Sequence, residues 1–197
     1  IVETSPIVNT NNMTLDITSS VGIPDDELGT VLENLVTGKE SIGVNVTPDQ
    51  PAQISMAFNE PVKMDRINIA VPNSEQAPTA GYVLIEDESG QVSKVYYGNE
   101  AYRNAVGYSA KINRSAGTIQ IDLKGQVAVK KITIVVTETT GKDAQLAEIG
   151  KVEFLNNVYE EIPAPQMNIP TITSVEEGAE ELTVKWNAEP NVDGYEV

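Results

Sequence analysis

The stretch Tyr96-Tyr97-Gly98-Asn99-Glu100-Ala101-Tyr102-Arg103-Asn104-Ala105-Val106-Gly107-Tyr108 gathers aromatic rings, a guanidinium and carboxamides around two glycines. Rings offer flat apolar faces, and planar polar groups beside them can pair with hydroxyls or amides. That composition suits recognition of a carbohydrate or a peptide from a loop. Tyr97, Tyr102, Arg103, Asn104 and Tyr108 are therefore the candidate ligand-binding residues. A competing reading puts Tyr96 or Tyr97 in the core, because tyrosine is commonly half-buried. Tyr96 continues a strand, which makes Arg103 with Tyr102 the stronger pair. Asn73 and Gln76, in the 72–78 loop, are weaker candidates.

Little else in the chain could do chemistry. Its 197 residues include no His and no Cys. That removes a Ser-His-Asp triad, a cysteine nucleophile, a thiolate zinc site, an imidazole ligand and any disulfide. Paired carboxylates can hydrolyse glycosides at the right separation. The acidic runs Asp25-Asp26-Glu27 and Glu86-Asp87-Glu88, however, fall at a helix start and a turn, where solvation explains them. No pair stands apart, so the chain reads as non-catalytic. The Asn-x-Ser/Thr triplets at Asn12, Asn45 and Asn113 are near chance frequency and imply no glycosylation.

With 13 Lys+Arg against 29 Asp+Glu, the net charge is −16. Such a surface repels phosphate backbones, which argues against nucleic acid and anionic membrane as partners. No run approaches the roughly 20 apolar residues that cross a bilayer, so membrane insertion is not expected. The chain opens without Met or a signal peptide and closes on a strand-like pattern, and it reads as a piece of a larger protein.

The elements that must position the tyrosine stretch are strands. Segment 52–58 alternates, with Ile54, Met56 and Phe58 on one face; 66–71, 82–85, 92–96 and 119–123 do the same. Val127, Val129, Ile132, Ile134 and Val136 follow, then Ile149, Val152 and Phe154. Period-two alternation separated by polar turns predicts an antiparallel sandwich or barrel. Segments 52–69 and 118–134 look alike, each reading as strand, tight turn, strand, which predicts two hairpins. One helix is predicted: acids follow Pro24, then Leu28, Val31, Leu32 and Leu35 keep helical spacing up to Gly38.

A boundary is expected near residue 160, at Ile162-Pro163-Ala164-Pro165-Gln166. Residues 1–160 carry 12 basic and 21 acidic groups, and residues 161–197 carry 1 and 8. The expected organisation is a β-sandwich over 1–160, a Pro-rich linker over 161–168 and the start of a second β domain over 169–197.

Three motifs resemble the discoidin fold, the group of coagulation factor five/eight type C domains and family-32 carbohydrate-binding modules. They are Leu32-Glu33-Asn34-Leu35-Val36-Thr37-Gly38, the strands flanking Asn59-Glu60-Pro61-Val62, and Lys131-Ile132-Thr133-Ile134-Val135-Val136 followed by Leu146-Ala147-Glu148-Ile149-Gly150-Lys151-Val152-Glu153-Phe154. The resemblance implies an all-β, galactose-binding-like jelly-roll sandwich with a ligand site in loops at one end. It also implies a glycan or cell-surface ligand and an extracellular or cell-surface location. The missing disulfide favours a bacterial relative.

Many members of that group hold a structural calcium between the early turn and the late Glu. Thr37, Ser41 and Glu148 are the matching positions, with Thr37 standing where Asp is usual. Two readings stay open: a calcium ion on Thr37, Ser41 and Glu148, or Lys39 paired with Glu148 or Glu40 in place of the ion. The tail resembles the opening of an immunoglobulin-like fibronectin type III sandwich. Its carriers are Pro170-Thr171-Ile172-Thr173-Ser174-Val175, Glu181-Leu182-Thr183-Val184-Lys185-Trp186 and Val192-Asp193-Gly194-Tyr195-Glu196-Val197. Together these imply a non-catalytic carbohydrate-binding module beside neighbouring domains of the same chain. The alternative is a structural spacer or protein-binding module of a surface adhesin.

Overall fold

The computed structural model describes residues 2–4, 9–18, 23–47, 49–142, 145–158 and 170–187. The chain divides into two packed units, Ile1–Tyr159 and Glu160–Val197.

Two long antiparallel strands organise the first unit: β4 (Ala52–Ala70) and β8 (Thr118–Thr139). They pair with each other from Ala52↔Val136 to Ala70↔Thr118, with register breaks between Ala57 and Val62 and between Met64 and Arg66. Pro61 cannot donate to the ladder, and Gly125 supplies a left-handed φ of 67° on the facing strand. There the pair leaves one layer and enters the other. Asn12 braces the bend: its Oδ1 accepts the Glu60 N–H at 2.8 Å and its Nδ2 donates to the Glu60 carbonyl at 3.1 Å.

This corrects the expectation of two hairpins. Neither half of β4 pairs with its own continuation, because each half is already bonded to β8. The likeness of the two segments in sequence follows from their being partners that make the same bend.

One layer runs β2 (Met13–Thr18), the first half of β4, the second half of β8, β5 (Pro78–Asp87) and β6 (Val92–Tyr97). The other runs β1 (Val2–Thr4), β10 (Val152–Val158), the second half of β4, the first half of β8 and β7 (Ser109–Asn113). Ile54, Met56, Ile132 and Ile134 from the first layer are buried with Ile67, Ile69, Ile119 and Ile121 from the second. Phe58 and Phe154 meet across the layers edge to face, with ring centroids 5.3 Å apart.

The helix forms as predicted, as a 3-10 turn over Asp25–Glu27 followed by α1 (Leu28–Thr37). Leu32 and Leu35 are buried, and Gly38 ends the helix in a left-handed conformation with its N–H on the Asn34 carbonyl. A two-stranded ribbon, β3 (Ile42–Asn45) with β9 (Leu146–Ile149), follows from Ile42↔Ile149 to Asn45↔Leu146. Among the described residues no helix is long and apolar enough to cross a membrane.

In the second unit β11 (Ile172–Glu177) and β12 (Leu182–Trp186) form an antiparallel ribbon that leaves Ile172, Val175 and Leu182 exposed. The expected linker at 161–168 and the expected strand around Tyr195 lie outside the described residues.

Candidate functional site

β6 delivers the tyrosine stretch. Its alternation sends Val95 and Tyr97 inward, and both are fully buried. The Tyr97 hydroxyl donates to the Val135 carbonyl at 2.8 Å. Gly81 makes the space, since a Cβ there would collide with that hydroxyl and that carbonyl. Burial raises the phenol's pKa far above its ordinary value. Tyr97 is therefore corrected from a ligand-binding residue to a core ring. The parity it shares with Val95 along the strand is the sequence signal that could have assigned it inward.

After Tyr97 the chain turns sharply at Gly98 (φ 76°), where any Cβ would strike the Thr79 carbonyl. A 3-10 segment, Gly98–Arg103, follows. Asn104 then takes over as a strand substitute. Its Oδ1 accepts the Tyr96 N–H at 2.6 Å and its Nδ2 donates to the Tyr96 carbonyl at 2.9 Å. With both ends of its amide spent on backbone, Asn104 is corrected from a ligand contact to the residue that positions the turn. Tyr108 is half-buried, and Ser93 Oγ donates to its hydroxyl at 3.2 Å, which pins the far end of the segment to β6.

Two of the expected ligand residues remain outward. Tyr102 is 84% exposed. Arg103 stacks over the Tyr96 ring, with its Cζ 4.5 Å from the centroid, and its Nη1 bonds Glu100 Oε1 at 3.1 Å. Val106 is 92% exposed in the same segment. On the neighbouring sheet face Lys94 Nζ lies 3.8 Å from the Tyr82 centroid, and Tyr82 meets Tyr96 edge-on at 5.7 Å.

Next to this ridge, at the sandwich end where β4 stops and β8 starts, a groove of about 150 Å³ opens between the 71–78 loop and the β7–β8 turn. Val71, Pro78 and Ile112 give it apolar walls, and Arg114 stands on its rim. Thr79 lines the groove and abuts Gly98, so ridge and groove adjoin. The walls are fixed. Thr140 Oγ1 accepts the Ala77 N–H and donates to the Ser74 carbonyl, each at 2.8 Å. Asn73 and Asn113 cap their own turns through Oδ1. Among the described residues Arg114 has no hydrogen-bond or ion-pair partner, so its guanidinium is available to a ligand. Sequence reasoning missed Arg114 because β7, with little alternation, gave no strand signal to place it beside the 72–78 loop. Gln76 lies with Glu75 and Lys142 in a recess next door.

The three metal candidates do not assemble. Ser41 Oγ donates to Glu148 Oε1 at 2.6 Å, so those two do meet. Thr37 turns back, its hydroxyl donating to the Glu33 carbonyl at 2.7 Å. The set offers one carboxylate and two neutral hydroxyls, whereas calcium takes 6–8 oxygens. Lys151 lays its stem on Gly38 and bonds Glu153 Oε1 at 3.1 Å, which brings a cation to the same turn. Thr37, Ser41 and Glu148 therefore do not fit a calcium ion. The expected Lys39 pairing is not formed either: Glu148 is taken by Ser41, and Glu40 Oε2 accepts from Asn34 Nδ2 at 3.2 Å.

No family model and no curated protein matches the chain. Solved structures do. A family-32 module of NanJ from Clostridium perfringens, in complex with galactose, aligns at TM-score 0.53 and 13% identity, over 79% of this chain and 100% of that one. CpGH89CBM32-5 from the same organism, in complex with GalNAc-beta-1,3-galactose, aligns at 0.50 and 11%, over 75% and 97%. An F5/8 type C domain from Bacteroides fragilis aligns at 0.50 and 10%, over 76% and 94%. These likenesses establish the fold of the first unit as a discoidin-like β-sandwich.

Proposed function

We propose that the first unit is a non-catalytic carbohydrate-binding module. The observation that carries this reading is Tyr102: a ring 84% exposed on a turn held between the buried Tyr97 before it and Asn104, bonded to the Tyr96 backbone, after it. A rigidly presented aromatic face stacks on the C–H face of a sugar without first losing loop entropy. Arg103 and Arg114 supply donors for hydroxyls beside it. The galactose- and GalNAc-containing complexes of similarly folded modules agree with this reading. In the same proposal the protein is bacterial and works at the cell surface or outside the cell. The β11–β12 ribbon there begins a fibronectin type III domain that spaces the module from its neighbours.

A glycan array probed with the 197-residue chain and with Tyr102→Ala tests it. Specific glycan binding that drops by about twofold to tenfold in the variant supports the proposal, a stacked ring being worth about 0.5–1.5 kcal/mol beyond its buried area. An array with no bound glycan overturns it. The exposure of Val106 at 92% and Val92 at 54% favours, as a second reading, a protein-binding module of a surface adhesin. Adhesion to cells stripped of glycans, lost in Val106→Asp, would select that reading.

A further inference from the structure

The groove beside the Tyr102 ridge carries charge at one point. The chain holds 29 Asp+Glu against 13 Lys+Arg, yet among the described residues that line the groove there is no carboxylate, and Arg114 is the one charged side chain. Elsewhere in the first unit Arg66, Arg103 and Lys151 are each paired with an acid. Arg114 has no such partner among the described residues. The adjoining recess shares Thr140 with the groove and sets Lys142 with Glu75, so it adds no net charge.

The backbone under Arg114 is fixed before any ligand arrives. Asn113 Oδ1 accepts from Ser115 Oγ at 2.8 Å and from the Ala116 N–H at 3.1 Å, which closes the turn around Arg114. The Val71 N–H donates to the Gly117 carbonyl at 2.7 Å and ties that turn to the 71–78 loop, the opposite wall. Gly117 has a φ of 62°, and a Cβ there would lie 2.9 Å from the Val71 carbonyl oxygen. The Asn113 Oδ1 and the Thr140 hydroxyl are spent on these walls. That leaves Arg114 as the charged group with unused donors.

With the first unit read as a carbohydrate-binding module, we propose that this groove selects a sugar bearing a carboxylate, and that Arg114 is the residue that recognises it. A guanidinium presents a planar fork of donors that matches a carboxylate bidentately, whereas a hydroxyl uses only one of them. Val71, Pro78 and Ile112 give the ring an apolar wall, and no acid in the groove repels the anion. The net charge of −16 opposes an anion at long range, but at physiological salt that field is screened beyond about 8 Å, and contact with the guanidinium decides.

The test titrates sugars into the ¹⁵N-labelled 197-residue chain at about 0.15 M ionic strength and follows the amide signals. The probes are methyl galactoside, the matching methyl galacturonoside and a methyl sialoside, each acid run against its own neutral methyl ester. At least one acid is expected to bind about threefold to tenfold tighter than its ester, the gain that one charge-assisted pair on an exposed rim allows. The acid that shows the gain tells a uronic from a sialic acid. Arg114→Gln should abolish the preference, and Arg114→Lys should keep only part of it. Lys142→Gln should leave it in place. Arg114 is exposed on its turn, so these variants are expected to fold. Equal binding of acid and ester, a preference that survives Arg114→Gln, or one lost in Lys142→Gln overturns the proposal. Galactoside binding that still depends on Tyr102 would then leave the carbohydrate-binding reading standing. Binding of none of the probes also overturns the proposal, and the glycan array decides separately whether the reading beneath it falls too.

Discussion

The Asn104 carboxamide closes both backbone hydrogen bonds of Tyr96, at 2.6 and 2.9 Å, and so gives β6 the partner that no strand supplies on that side of the residue. The turn that presents Tyr102 is thereby tied to the sheet by a single side chain. Asn104→Ala removes both bonds at once. Unfolding free energy is expected to fall by about 1–3 kcal/mol, and the Tyr96 amide to lose its protection in hydrogen exchange. Ligand binding should weaken as well, through loss of the turn that Asn104 holds.

Tyr97 makes stability sensitive to alkali. Its folded pKa is raised by burial above the ordinary 10.0, so the folded state holds the neutral phenol while the unfolded chain ionises. The contribution is complete below about pH 10 and declines as pH rises beyond it. Urea titrations at pH 9 and pH 11 should show a larger loss for the wild type than for Tyr97→Phe. At pH 7 the same variant should cost about 0.5–1.5 kcal/mol, for the lost bond to Val135.

Phe58 and Phe154 come from different layers, so truncating either opens a void between the sheets. Phe154→Ala is expected to destabilise the sandwich by about 3–5 kcal/mol in chemical denaturation. The double variant should cost less than the sum of the singles, because the two rings share one contact.

Gly38 ends α1 at φ 76°, with the Lys151 stem 3.1–3.3 Å from where a Cβ would sit. Gly38→Ala should lower stability by about 1–2 kcal/mol through left-handed strain and displacement of that stem. Lys151→Ala in the Gly38→Ala background should recover part of the loss, and differential scanning calorimetry reads both.

Strands and helix were legible because their signals are local. Ile54, Met56 and Phe58 alternate whatever they pair with, and Leu28 to Leu35 keep helical spacing up to a glycine stop. The path of β4 was not legible. A proline bend inside an alternating run looks like a hairpin until the partner strand is known, and here the partner lies some 60 residues downstream. The tyrosine stretch was found as a cluster, but composition could not assign facing. Tyr97 and Tyr102 are the same residue type in one segment, and they differ only in whether strand parity or a 3-10 turn aims the ring. Arg114 was invisible for another reason. It belongs to no motif and gains meaning only from the residues the fold brings beside it.

Val2 pairs with Val158, so the polypeptide enters and leaves the first unit side by side. The 71–78 loop and Arg114 sit at the far pole, where β4 ends and β8 begins. A body with adjacent attachment points can be spliced into a host chain while displacing little of it. Within the first unit, the pole bearing Arg114 lies at the opposite end from the paired Val2 and Val158.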